Sequence, residues 1–589
     1  MRGRVQQPEH FSEDDIARIA LLVTLASLCA LTWRKWGYLP IDSGREMYVP
    51  AAISAGRRLY FDLWYPYGPL IPYWHAALFR LFGVHLGVLI GAGVSVAGTI
   101  ALLLYSVSRV FLPVWLSFAA VFAFLLQACQ ADLFNYILPY SYPAVYGSMF
   151  SVLLLWLLLR ERIAVAGFLA GLMMLTKLEF GVAGYAGLSC AIVLRSIGAR
   201  SMRRLVLDAC ACIPGAILWI GIYGWYLHSA GTDFFLGENL SILPASHFQQ
   251  HFAKLWNEKT GLVLSPRALA ISAARGLAGL AILVGCVVIA ARSRVAGWMI
   301  AGVALCLCGI HLTATLAGVA DVNATDRLAV KVLRPVFFNS GMIWVGLVVL
   351  GMAISGWRSR EQRPAIFLCV LAMACGVRVL TKIASNGYPM FFDVLVYLVL
   401  LVGLYRVAKR FSVDLGGDFG KVVAGIMCLS VLTLTIEYYP IEQRSFMVSS
   451  NRGALYTSPE VGKGFSQALA FLESARQKSQ GVAIMPEDTA LYFLSGTIAP
   501  SRWYIVTPQV LPPGDATSKY IEEVERAHVR YVLVSDRATP EFGLPLFGVD
   551  YGQQIRMWLE MNFRVVQRIG DYEPVAFPRE WGALVYERK

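Results

Sequence analysis

Apolar runs of about 17–25 residues follow one another from residue 16 to residue 437, each long enough to cross about 30 Å of hydrocarbon. In lipid the backbone must satisfy its own N–H and C=O groups, so runs of this length are read as helices. The chain is 57% hydrophobic and 15% charged, against about a quarter charged in soluble domains. The expectation is an α-helical polytopic membrane protein. The runs fall near 16–33, 86–108, 113–128, 143–159, 163–178, 180–195, 205–227, 276–292, 296–317, 336–355, 365–381, 389–405 and 421–437, which makes about thirteen transmembrane helices.

With residues 1–15 as a cytoplasmic tail, the inward turns carry Arg109, Arg160, Arg195, Arg203, Arg292, Arg358 and Arg406 with basic neighbours, as the positive-inside rule requires. The net charge of +13 is therefore read as topology rather than as a nucleic-acid surface. The first run follows Glu13, Asp14 and Asp15 and lacks the basic lead of a secretory signal, so it is read as an uncleaved span. All eleven cysteines lie in or beside apolar segments and are read as small core residues.

The transmembrane domain is thus expected over 16–437, with a first outward loop at 34–85. Residues 69–83, too short to span alone and holding His75 and Arg80, are read as a helix lying at the outer interface. Residues 438–589 then lie outside. There apolar runs shrink to strand length and alternate with polar helical segments: strands at 481–485, 530–535 and 583–587, helices at 518–527 and 553–561. That alternation indicates a small C-terminal α/β extracytoplasmic domain.

The first outward loop sets Asp42, Arg45, Glu46, Tyr48, Asp62 and Tyr67 among Tyr60, Phe61, Trp64, Tyr65, Tyr73 and Trp74. Charge at that depth is costly unless it is paired, solvated or used. Two readings stand for the acids. In one, Asp42 is a helix N-cap, and Ser43 with Glu46 forms a capping box. In the other, Asp42 and Glu46, one helical turn apart, share a face and do chemistry. The aromatics likewise fit either a membrane-interface belt or a sugar-stacking surface. Later outward segments add Asp132, then Lys177 with Glu179 in Leu-Thr-Lys-Leu-Glu-Phe, then Arg327, Lys331 and Arg334, with Arg378 and Lys382. Cations there suit a phosphate, although Lys177 also fits a snorkelling lysine.

The stretch DSGREMYVPAAISAGRRLYFDLWYPYGPLIPYWHAALFRLFG, with FNYILPYSYPAVYG and LTKLEFG, resembles the C-type (GT-C) membrane glycosyltransferases. It is most similar to the family 39 protein mannosyltransferases, the bacterial aminoarabinose transferases and the lipopolysaccharide-core transferases. The resemblance spans roughly residues 16–440. It implies transfer of a sugar from a polyprenyl-phosphate carrier to a lipid, glycan or protein hydroxyl at the outer face of the cytoplasmic membrane. By that resemblance Asp42 is the catalytic aspartate and Asp132 a further outward acid, while Lys177 contacts phosphate. The family usually has Glu after the aspartate; here Ser43 stands there, with Glu46 the available second acid.

The expected enzyme is an inverting, metal-independent glycosyltransferase with no cofactor. Asp42, Glu46 and Asp132 are its catalytic candidates. Arg45, Tyr48, Asp62, Tyr67, His75, Lys177, Glu179, Arg327, Lys331 and Arg334 are its substrate-binding candidates. The partners are a polyprenyl-phosphate-linked sugar, the acceptor and membrane lipids, with no nucleic acid. The alternative is a transporter or flippase of lipid-linked saccharides, although such proteins tend to show repeated halves and ionisable groups near the bilayer midplane.

Overall fold

The computed structural model describes residues 12–240, 254–255, 257–258, 262–316, 342–355, 361–380 and 387–589. Arg327, Lys331, Arg334 and Lys382 lie outside these residues. The chain opens on α1 (Glu13–Leu31), started by a capping box in which Ser12 Oγ accepts from Asp15 N at 3.2 Å. The first loop then folds into two short helices, α2 (Ser43–Ser54) and α3 (Leu70–Phe82). The bundle continues with α4 (Leu86–Ser108), α5 (Val114–Ala128), α6 (Tyr142–Leu159), α7 (Ile163–Thr176), α8 (Leu178–Ala199), α9 (Met202–Cys210) and α10 (Ile213–Ala230). After it come α11 (Pro266–Arg292), α12 (Arg294–Leu316), α13 (Met342–Ile354), α14 (Arg363–Gly376), α15 (Val394–Arg410) and α16 (Asp418–Thr435).

The expectation of about thirteen transmembrane helices is corrected. Among the described residues, five helices are long and apolar enough to cross a membrane: α4, α6, α8, α11 and α16. They become six if α9 and α10, bent by 41° at their junction, form one span. Hydropathy had merged apolar composition with helix length. Several apolar runs form helices too short for the hydrocarbon, such as α7 and α14 at 14 residues each, about 21 Å at 1.5 Å per residue. The α1 helix has 19 residues but carries Glu13, Asp14, Asp15 and Arg18.

The break between α7 and α8 has a visible cause. Lys177 is extended (φ −157°, ψ 126°), and the Gly68 N–H donates to Thr176 O at 3.1 Å just before it. A Cβ at Gly68 would stand 2.1 Å from Leu175 O, so only glycine lets the loop press against the end of α7.

Residues 446–588 hold the strands. An antiparallel hairpin, β1 (Phe446–Ser450) with β2 (Gly453–Thr457), is followed by α17 (Pro459–Gln477). Then come β3 (Val482–Met485), α18 (Thr489–Ser495), α19 (Asp515–Arg526), β4 (Tyr531–Ser535), α20 (Gln553–Asn562), β5 (Phe563–Gly570) and β6 (Gly582–Arg588). The four-stranded sheet has the order β3-β4-β6-β5, with β3 parallel to β4 and the other pairs antiparallel. Its edge strand β3 is wholly buried, while the opposite edge, β5, is largely exposed and carries Arg564 and Arg568, charges that discourage pairing with another chain.

This α/β unit is fastened to the first loop at many points. Lys35 Nζ donates to Ile441 O at 2.8 Å, and Arg444 Nη1 to Gly37 O at 2.5 Å. The Asp488 N–H donates to Pro40 O at 3.3 Å, and the Trp64 N–H to Arg502 O at 3.0 Å. Tyr504 Oη donates to Trp64 O at 2.8 Å. Helix α2 lies directly on α18: a Cβ at Gly44 would fall 2.2 Å from Ala490 N. Because the obstacle is backbone, Gly44→Ala is expected to lower stability by about 1–3 kcal/mol. Thermal unfolding in detergent reads this, with Gly91→Ala, where the added carbon meets open space, as control. Equal melting of the two variants would mean that α2 and α18 do not touch.

Candidate functional site

Helix α2 is buried along Ser43–Ile53, so its polar side chains are held by tertiary partners rather than by water. Asp42 stands at the N-cap position of α2, but neither acid caps the helix with its side chain. Asp42 makes no side-chain cap bond, and Ser43 Oγ instead accepts from the Tyr38 N–H at 3.2 Å. Arg45 is the hub. Its Nη1 donates to Asp42 Oδ1 at 3.0 Å, its Nε to Glu46 Oε1 at 3.3 Å and its Nη2 to Tyr140 O at 3.2 Å. Its guanidinium faces the rings of Tyr67 and Tyr140, 5.2 and 5.5 Å from their centroids.

Glu46 has both oxygens engaged, since the Tyr142 N–H donates to Oε2 at 3.2 Å. Its side chain is 3% exposed against 23% for Asp42, which makes Asp42 the carboxylate that reaches open space. Burial pushes Glu46 up to about 7 against the pull of Arg45. Burial also raises Asp42, opposed by Arg45 and then by Arg537. A carboxylate raised toward neutrality is suited to accept a proton.

The second centre is Lys177, 3% exposed. Its ammonium lies over the faces of Tyr67 and Tyr388, 4.2 and 5.0 Å from the centroids. Among the described residues it meets no carboxylate. Tyr67 therefore has both Lys177 and Arg45 against its ring, and its own hydroxyl is 3.5 Å from that of Tyr140. Glu179, two residues on, pairs with Arg378 at 3.8 Å, and Arg378 also donates to Asn257 Oδ1 at 2.5 Å.

The other candidates are placed differently. Asp132 accepts from the Leu133 N–H at 2.7 Å and lies 3.8 Å from Arg444, in an ion pair reaching the α/β unit. Asp62 closes a turn with Arg58, 3.1 Å away, whose side chain is solvent-exposed. Tyr48 Oη accepts from the Ala499 N–H at 2.9 Å and is packed between Tyr492 and Tyr504. His75 sits edge-on to Tyr142, with Nε2 3.3 Å from Tyr146 Oη. Of the loop aromatics, Tyr60, Trp64 and Tyr65 are core, whereas Tyr73 and Trp74 are exposed on α3 as an interfacial belt requires.

Sequence reasoning missed the α/β unit's share. Glu487 and Asp488 follow β3 after Pro486, and Asp536 and Arg537 directly follow β4. Charged residues just past the carboxyl ends of two parallel strands are the available signal, since ligands gather at such ends. Arg537 Nε is 3.1 Å from Glu487 Oε2, and its Nη2 pairs with Glu541. Asp488 accepts from Trp581 Nε1 at 2.9 Å and from Ser535 Oγ. Burial raises Glu487 to about 8 and Asp488 to about 7.

An open apolar groove of about 700 Å³ runs between α3, α4, α6 and α7, lined by Leu70, Trp74, Gly91, Ser95, Phe150 and Leu172 among others. Leu70 is three residues from Tyr67, and Leu172 is one helical turn before Thr176. No group of three or more His, Cys, Asp or Glu side chains that could hold a metal occurs among the described residues.

No protein-family model matches the chain, and no curated protein does. Among solved structures it is similar to the Archaeoglobus fulgidus oligosaccharyltransferase in its apo form, at 14% identity and TM-score 0.48, covering 90% of this chain and 70% of that one. It is also similar to ArnT from Cupriavidus metallidurans bound to undecaprenyl phosphate, at 11% identity and TM-score 0.49, covering 96% and 97%. Neither TM-score reaches one-half, so no residue role is transferred from either protein.

Proposed function

We propose that this protein is a GT-C-like membrane glycosyltransferase that moves a sugar from a polyprenyl-phosphate carrier to a hydroxyl acceptor at the outer face of the cytoplasmic membrane. The observation that carries the reading is Lys177. A buried ammonium with no carboxylate partner among the described residues is costly, and here it shares the Tyr67 ring with Arg45. The Lys177 ammonium is a charge-assisted donor for which a phosphate offers several acceptors. The open apolar groove lined by Leu70, Trp74, Phe150 and Leu172 is suited to an isoprenoid chain.

In the proposed reaction Asp42 accepts the proton of the acceptor hydroxyl, whose oxygen attacks the anomeric carbon. The bond from that carbon to the phosphate oxygen breaks, and its electron pair leaves with the polyprenyl phosphate. Lys177 stabilises the charge that grows on the departing phosphate. Direct displacement inverts the anomeric configuration. Arg45 holds Asp42 in place, and the engaged oxygens of Glu46 hold Arg45. The α/β unit, fastened to the loop that carries Asp42, lies on the same side of the membrane as the chemistry, the outer side in this reading.

Deletion of the gene is expected to leave a polyprenyl-phosphate-linked sugar accumulating on the outer leaflet, and the restored protein to clear it. Mass spectrometry of extracted lipids identifies the compound, and its accessibility to an added glycosidase gives the leaflet. An unchanged pool of lipid-linked sugar overturns the reading. Accumulation on the inner leaflet would instead assign the protein to transport.

A further inference from the structure

Residues 60–67, which end on the ring that covers Lys177, are clipped between two parts of the chain that come far later. The first is a π-helical turn after α10, Asp233–Asn239. Turns of this kind are rare and gather at functional sites. Its buried Phe235 stands edge-on to Tyr60, with centroids 5.1 Å apart, and Tyr60 Oη donates to Tyr67 O at 2.6 Å. Its Glu238 O accepts from Trp64 Nε1 at 2.8 Å. The second part is residues 502–504 of the α/β unit. There Arg502 O accepts from the Trp64 N–H at 3.0 Å, and Tyr504 Oη donates to Trp64 O at 2.8 Å.

Arg502 joins the two parts. Its Nη1 donates to Glu238 Oε2 and its Nη2 to Asn239 Oδ1, both at 3.0 Å, and its guanidinium lies 4.1 Å from the centroid of Phe234. Its backbone is fixed within the unit, since the Arg502 N–H donates to Glu523 Oε2 on α19 at 3.1 Å. The side chain is 7% exposed, and a planar fork stacked on a ring is a geometry only arginine supplies. At the other end of the path the Gly68 N–H donates to Thr176 O at 3.1 Å, and the Lys177 ammonium lies 4.2 Å from the Tyr67 centroid. Each link from Arg502 through the turn, Tyr60 and Tyr67 to Lys177 is a direct contact.

We propose that Arg502 is a positioning residue for the carrier's phosphate. It draws the π-helical turn against Tyr60 and Trp64 and so holds the Tyr67 ring over Lys177. The proposal rests on the reading of Lys177 as the phosphate contact. A seat held in its bound shape before the ligand arrives loses little affinity to ordering. Arg502 therefore strengthens binding without touching the ligand, and the docking of the α/β unit sets how tightly the carrier is held.

The test titrates the full-length protein in nanodiscs with undecaprenyl phosphate, and with undecaprenol as the probe lacking phosphate. Arg502→Gln is expected to weaken binding of the phosphate by roughly twofold to thirtyfold, the range over which residues remote from a ligand act. Binding of undecaprenol is expected to stay at the parent value. In a Lys177→Met background the same change has no further effect, because both residues act at one seat. A residue that only stabilises the fold would lower the melting temperature and leave both affinities alone, or weaken both probes alike. Arg530→Gln, which breaks an exposed ion pair with Glu587, is the control and is expected to bind as the parent does. Should Arg502→Gln fail to fold, Glu238→Gln, altering the more exposed partner of the pair, decides with the same expected result. Unchanged phosphate affinity in the folded variant overturns the proposal, as does an equal further loss in the Lys177→Met background. The two readings fail differently. Weakened binding in Lys177→Met beside an inert Arg502→Gln sinks only Arg502, whereas two inert variants sink the seat and Arg502 with it.

Discussion

Lys177→Met is expected to weaken binding of undecaprenyl phosphate by roughly tenfold to a hundredfold, the worth of one or two hydrogen bonds to a charged group. The same change is expected to leave the protein at least as stable as before. The two effects have opposite signs because the ammonium is buried over Tyr67 and Tyr388 without a carboxylate among the described residues. Its contacts with the two rings are worth about 0.5–2 kcal/mol, whereas the effective penalty for burying one ion is several kcal/mol. A methionine keeps the length of the stem and removes that cost. A lysine kept for packing or for snorkelling would behave differently: its loss would lower stability or change nothing, and affinity would not move. Titration in nanodiscs with undecaprenyl phosphate, with undecaprenol as the probe lacking phosphate, separates head from tail. Equal affinity of parent and variant for the phosphate would return Lys177 to a structural role and remove the main support for the carrier. Lys177→Arg, which keeps the charge, is expected to retain most of the binding.

The parts of the site legible in the sequence were those whose partners are close in the chain. Asp42, Arg45 and Glu46 lie within one turn of a helix, and helical spacing alone brings them together. What spacing could not decide was between capping and chemistry. A capping box and a catalytic pair have the same local pattern, and the difference lies in Tyr38 and Tyr142, whose amides take Ser43 and Glu46 away from capping. Lys177 was visible as a cation beside an apolar run. Its burial over two rings depends on a loop a hundred residues earlier and on Tyr388, far later.

The number of spans was misread for a different reason. Hydropathy reports composition, while the length of a helix is set by where its backbone stops. The extended Lys177 and the bend between α9 and α10 leave little trace in composition. Least legible was the Arg537 cluster, because no local pattern ties residues 487–541 to residue 42. The docking of α2 on α18 through a bare glycine, and the Asp488 N–H on Pro40 O, bring the turn after β3 to residues 40–44.

Asp42→Asn is expected to insert and fold normally, to bind carrier as before, and to transfer sugar about 10²–10⁴-fold more slowly, the usual worth of a positioned general base. The geometry makes this substitution cleaner than the sequence promised. Asp42 makes no cap bond, so no helix end is lost, and the amide oxygen can still accept from Arg45 Nη1 at the 3.0 Å site. Arg45 keeps Glu46 and Tyr140 O, so the hub survives the loss of one charge. The pH profile adds a second readout. Burial holds the Asp42 pKa above the ordinary carboxylate value, and a base works only when ionised. The parent's rate therefore falls as pH drops through that raised pKa, and the residual rate of Asp42→Asn lacks this limb. Glu46→Gln, altering a carboxylate whose oxygens are both already occupied, is expected to cost stability more than rate. Near-parental transfer by Asp42→Asn, or an unchanged acid limb, would move the base elsewhere and leave Asp42 as nothing more than a partner for Arg45.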